Sequence, residues 1–118
     1  MAPPSSESLK ETVTVSLDDD KAQKVVIIDL RGKTAIADYM IVASGTSQRQ
    51  VVTMAEHLRE KLKSFGIKSI SVEGLSQGDW VLIDGGDVII HLFRPEIREF
   101  YDLEKLWDDP IPRPGKVV

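Results

Sequence analysis

The apolar positions of this chain fall into alternating blocks of two kinds, short continuous runs and one long helical stripe. Lys24-Val-Val-Ile-Ile-Asp-Leu30 and Tyr39-Met-Ile-Val-Ala43 are continuous runs, the pattern of strands covered on both faces. Between them Arg31-Gly32-Lys33 reads as a turn. From Val51 to Phe65 the pattern changes. Val51, Ala55, Leu58, Leu62 and Phe65 step by four, three, four and three, a single helical stripe opposite Glu56, Arg59, Glu60 and Lys63. Ser47 and Gln50 have the spacing of a capping box before it. Gly66 comes next as a left-handed C-cap. Lys68–Glu73 is a short third strand. Trp80–Asp84 and Val88–Phe93 are two more, joined by Gly85-Gly86-Asp87 as an antiparallel hairpin. Pro95 then suits the first position of a helix, with Ile97, Phe100, Tyr101 and Leu103 expected to face inward.

The N-terminal part is open to two readings. Leu9, Val13 and Leu17 lie on one helical face, yet Val13, Val15 and Leu17 also alternate as in a strand. The polar run Asp18–Lys24 would continue a helix. Residues 1–8 are expected to be flexible. Residues 108–118 hold three prolines and read as a Pro-rich flexible tail. Two runs of buried-strand type in one sheet imply layers on both sides, hence an α/β architecture. A chain of 118 residues is one domain.

Charge narrows the partners. The chain carries a net −4, and its pI of about 5.1 argues against generic nucleic-acid binding. Glu73–Asp109 holds ten acidic and three basic residues, together with both tryptophans, Phe93, Phe100 and Tyr101. Aromatics set among acids suit a basic protein surface better than a phosphate backbone. The absence of cysteine removes disulfides, thiolate metal sites and cysteine nucleophiles. No apolar run reaches the ~20 residues of a membrane span. The N-terminus lacks the pattern of a signal peptide, so a soluble, cytoplasmic protein is the default.

Candidate chemistry is sparse. Gly45-Thr46-Ser47 at a strand–helix junction could take an anion, but no P-loop lysine is present after it and there is no GxGxxG. Asp84, Asp87, Asp79 and Glu73 could ligate a metal; acids flanking a tight turn are more often turn formers. His91 lies mid-strand among apolar residues, with Ile89 and Phe93 on its face. No nucleophile can be named beside it, and no catalytic residue, metal or cofactor is expected. Trp80 opens a strand near a sheet margin, and tryptophan is enriched among residues that carry protein–protein binding energy. Arg94, Arg98 and Tyr101 could form a rim beside it, or the arginines could pair with Glu96, Glu99 and Asp102.

Five blocks carry a family resemblance. They are Ile36-Ala-Asp-Tyr-Met-Ile-Val-Ala-Ser-Gly-Thr-Ser47, Val72-Glu-Gly74, Asp79-Trp80-Val-Leu-Ile-Asp84, Gly86-Asp-Val-Ile-Ile-His-Leu-Phe93 and Arg98-Glu-Phe-Tyr-Asp-Leu-Glu-Lys-Leu-Trp107. Together they resemble the ribosomal silencing factor (Iojap) family, over residues 9–107. The resemblance implies a mixed sheet of about five strands flanked by helices, nucleotidyltransferase-like in outline but without the catalytic acids. It implies an N-terminal helix over Leu9–Lys21, although Thr12–Val15 departs from the Ala/Leu-rich pattern usual there. It further implies a translational repressor that binds the large ribosomal subunit through ribosomal protein uL14 and blocks joining of the small subunit when nutrients are scarce. Organellar relatives act in large-subunit assembly. Trp80 matches the family tryptophan associated with uL14; Val81 and Leu82 are carried with it, and Asp79 and Asp84 as acidic complements. A homodimer of the free protein, no membrane and little direct nucleic-acid contact complete the expectation. The competing reading is a nucleotidyltransferase-like nucleotide-binding enzyme using Gly45–Ser47.

Overall fold

In the computed structural model, which describes residues 5–102, the chain forms α1 (Ser6–Asp19), β1 (Gln23–Asp29), β2 (Tyr39–Ser44), α2 (Gln48–Ser64), β3 (Ser71–Glu73), β4 (Trp80–Asp84), β5 (Val88–Phe93) and α3 (Pro95–Tyr101). The five strands make one mixed sheet in the order β1-β2-β5-β4-β3. Only the β2–β5 pair is parallel; the other three are antiparallel. Leu103, Leu106, Trp107 and the tail lie outside the described residues.

Burial settles the N-terminal ambiguity. Leu9, Val13 and Leu17 are buried, whereas Val15 is 57% exposed. A strand would have put Val13, Val15 and Leu17 on one face. The helix forms despite its β-branched residues because burying one face outweighs propensity. It begins at Ser6, with the Ser5 hydroxyl accepting the Ser8 N–H at 3.1 Å, so residues 6–8 belong to it.

In α2 the predicted stripe is the buried one: Val51, Ala55, Leu58 and Leu62, joined by Met54. Its last member, Phe65, is instead 42% exposed. It is the C-cap residue, and the left-handed Gly66 (φ +90) turns the chain there. The Ile67 and Gly66 N–H groups donate back to the Leu62 and Lys63 carbonyls, a Schellman closure.

Alternation along the strands divides the core. Tyr39, Ile41, Ala43, Val81, Ile83, Val88, Ile90 and Leu92 pack with α1 and α2 on one face. Met40, Val42 and Phe93 are buried on the other, where Trp80, Ile89 and Ile97 of α3 are half-buried. Layers on both sides are therefore present, two helices against one. The reading of Lys24–Leu30 as a doubly covered strand needs correction, however. β2 is buried throughout, but β1 is the sheet edge, where Gln23, Lys24, Ile27 and Asp29 are exposed and only Ile28 is buried. A bulge between Gln23 and Val26 interrupts its register, with Lys24 at φ +49, a device that discourages edge-to-edge pairing.

Candidate functional site

The hairpin register brings the aromatic residues together. Trp80 pairs with Phe93, Leu82 with His91 and Asp84 with Ile89, so all six project on the face opposite α1 and α2. The Trp80 indole Nε1–H donates to Nδ1 of His91 at 3.0 Å. Its ring stacks on Phe93 at 5.1 Å and meets Tyr101 of α3 at 4.6 Å. His91 stacks on Phe93 in turn, at 6.0 Å and 10°. Beyond Tyr101, Phe100 makes an edge contact at 5.1 Å. The half-buried tryptophan is thus held by three rings and one hydrogen bond, and an aromatic ridge continues from it to the surface.

Because Nδ1 accepts, the proton of a neutral His91 sits on Nε2. Burial pushes its pKa down to about 4, so the ring is neutral at physiological pH.

The approach to Trp80 is tightly built. β3 ends at Glu73, opposite Leu82, and the chain turns at Gly74 with φ +91. A Cβ there would lie 2.1 Å from the Trp80 carbonyl oxygen. Asp79 is committed internally: its Oδ1 accepts from Gln48 Nε2 at 3.0 Å and lies 2.9 Å from Arg94 Nε. Arg94 also pairs with Glu96 at 3.0 Å. Asp79 therefore ties β4 to α2 and to the start of α3. Asp84 is exposed at the other end of β4, and its Oδ1 accepts the Gly86 N–H at 2.9 Å, as a turn former does.

Three residues, Val81, Arg98 and Phe100, stand otherwise than expected. Val81 is fully buried among the helix-facing side chains, because the alternation that presents Trp80 and Leu82 turns Val81 away from their face. Arg98 is no rim residue: it is 8% exposed and its Nη1 donates to Ser44 Oγ at 2.8 Å. With Pro95 starting α3, the position three residues on faces the sheet. The same phase carries Phe100 outward, 81% exposed, where an inward position was expected. Tyr101 is half-exposed and Arg94 partly so, and both stay beside Trp80. Two residues of this site were missed, His91 as the partner of Trp80 and Phe100 as an exposed ring. The first was readable from the hairpin pairing, which sets His91 one step diagonal to Trp80.

The strand–helix junction is occupied by its own side chains. Ser47 Oγ accepts the Gln50 N–H at 3.1 Å. Gln50 reaches back one residue further than a capping box, its Oε1 accepting from both the N–H and the hydroxyl of Thr46 at 2.7 and 2.9 Å. A Cβ on Gly45 would meet Met54 and Val51 at 2.9 Å, so this glycine serves close packing of α2. β3, Ser-Val-Glu, carries no Asp-x-Asp. A cleft of about 630 Å³ lies elsewhere, between β1 and α3, lined by Lys24 and Arg98 but also by Glu99 and Asp102, a balanced charge. Among the described residues no three His, Cys, Asp or Glu side chains gather to hold a metal.

A family model described as "Ribosomal silencing factor during starvation" matches residues 3–116. A ribosomal silencing factor of Zymomonas mobilis is 54% identical over 101 residues, covering 86% of this chain and 76% of that protein. One of Haemophilus influenzae is 41% identical over 100 residues, covering 85% and 98%. A mouse protein named for mitochondrial assembly of the ribosomal large subunit is 35% identical over 94 residues, covering 77% of this chain and 41% of its own length. Among solved structures, a protein of Chromobacterium violaceum superposes with a TM-score of 0.86 at 34% identity, covering 93% of this chain and 92% of its own.

Proposed function

Because the chain belongs to the ribosomal silencing factor family, we propose that it is a translational repressor that binds the large ribosomal subunit through ribosomal protein uL14. Bound there, it blocks joining of the small subunit and lowers translation under nutrient limitation. The mechanism is occlusion, with no bond made or broken, and the place of action is the cytoplasm. No helix among the described residues is long and apolar enough to cross a membrane.

The observation that carries this reading is the Trp80 ring, half-buried and clasped by His91, Phe93 and Tyr101. A rigid aromatic anchor with exposed rings beside it is the composition of a binding hot spot. Leu82 stands on the same face, half-buried. Asp84 and the exposed acids Asp87, Glu73 and Glu99 complement a basic ribosomal protein and steer its approach. Asp79 supports the site through Arg94 rather than by contact. The mouse relative's name favours a second reading in which the same docking serves assembly of the large subunit; a defect in subunit maturation rather than in joining would distinguish it. Self-association of the free protein through this face would compete with docking, and sedimentation of the free protein measures it.

The test is binding of the purified chain to isolated large subunits, then addition of small subunits, with Trp80→Ala alongside. The expected loss for the mutant is on the order of 2 kcal/mol, more than a tenfold weakening, with folding retained. Wild type that neither binds nor blocks joining would overturn the proposal. If Trp80→Ala unfolds, Trp80 is a core residue and not the anchor.

A further inference from the structure

We propose that His91 is a positioning residue for docking: by accepting the Trp80 indole N–H at Nδ1, it fixes the one orientation in which that ring meets a protein partner. This rests on the reading of Trp80 as the docking anchor. An indole N–H has one donor and no acceptor, and at a half-buried site it either finds a protein acceptor or turns to water. Trp80 lies at the first position of β4, half-buried. Stacking on Phe93 at 27° and the tilted contact with Tyr101 at 44° restrict the ring's plane, but a flipped ring would satisfy the same stacking. The directional bond that the indole N–H donates to His91 at 3.0 Å distinguishes the two, and so decides which edge of the indole faces outward.

His91 suits this role because it is itself fixed. It is 7% exposed, flanked by Ile90 and Leu92 in the core of the opposite face, and stacked on Phe93. Its depressed pKa keeps the Nδ1 lone pair available. A leucine of similar size would fill the space and leave the indole N–H without an acceptor. An asparagine places its amide oxygen near the position of Nδ1 and restores one. A preorganised anchor loses less freedom on binding than a mobile one, so the consequence is read in affinity.

The experiment uses the full chain with His91→Leu and His91→Asn. The indole Nε1–H resonance of Trp80, distinguished from that of Trp107 by a Trp107→Phe variant, reports the bond. Affinity for isolated large subunits reports docking. In wild type and His91→Asn the Trp80 N–H is shifted and protected from exchange, and binding is retained within a few-fold. In folded His91→Leu the protection is lost and binding weakens about tenfold. The inference is overturned if the wild-type Trp80 N–H exchanges freely, or if His91→Leu loses protection yet binds as wild type. It is also overturned if His91→Asn keeps the bond but binds as weakly as His91→Leu. If Trp80→Ala itself binds as wild type, the docking reading fails, whatever the His91 variants do.

Discussion

Gly74 and His91 are single residues whose surroundings restrict what can replace them. At Gly74 the backbone is left-handed and the space for a Cβ is already taken by the Trp80 carbonyl oxygen at 2.1 Å. Backbone against backbone has no flexible end to give way. Gly74→Ala is expected to destabilise by on the order of 3 kcal/mol or more, measured by urea denaturation, whereas an alanine at Gly32, which has a positive φ but nothing within 4 Å, costs less. His91 makes stability depend on pH. Its folded pKa of about 4 lies below the unfolded value of roughly 6.5, so the unfolded chain binds the extra proton. The contribution is fully present above about pH 6.5 and erodes as pH falls towards 4, with roughly 2 kcal/mol lost between pH 7 and pH 5. Urea denaturation at those two pH values checks it, and His91→Asn flattens that part of the difference. Nothing in the spacing of His91 foretold the depressed pKa, which needs the depth of burial that only the assembled sheet supplies.

Among the elements, α2 and the hairpin were legible because local signals agree with the final packing. Ser47, the four-three stripe and Gly66 each specify the same helix, and the glycine link brings Trp80–Asp84 back against Val88–Phe93. β1 and α3 were less legible for a shared reason: their exposure is decided by neighbours distant in sequence. The apolar run of β1 gives no sign that the strand ends up at the edge. In α3 the pull of Phe100 towards the core loses to Arg98, which reaches Ser44 on β2. Alternation in β4 supplies a matched pair of expectations. Val81→Ala, facing the helices, should cost roughly 2 kcal/mol of stability and leave affinity for large subunits unchanged once folded. Leu82→Ala, on the Trp80 face, should weaken binding several-fold with a smaller loss of stability. Denaturation and co-sedimentation on the same two variants separate the faces, and the reverse result would place docking on the helical side.

Over the whole molecule, charge is unevenly shared. The acidic surplus belongs to residues 73–109, while the rest of the chain is positive overall. Arg59, Lys61, Lys63 and Lys68 stand exposed around the C-terminal end of α2, where cations suit the helix dipole. A molecule polarised in this way is oriented by a basic partner before contact. Association with large subunits should therefore slow several-fold when salt rises from 0.05 to about 0.5 M, with dissociation changed much less; stopped-flow mixing resolves the two rates. The polarity was plain in the sequence, but its use was not, since Asp79, counted among the steering acids, is spent on Arg94.

The strand order has a consequence for synthesis. β5, the last strand among the described residues, is the one that lies between β2 and β4, and its partner β2 is some fifty residues earlier in the chain. Without β5, β1–β2 and β3–β4 share no sheet hydrogen bonds and meet only through the packing of α1 and α2, and pairing over such a distance is slow. A nascent chain therefore has no Trp80 clasp, since His91 and Phe93 arrive with that same strand. The aromatic cluster that holds Trp80 is therefore complete only once β5 has paired on both of its sides.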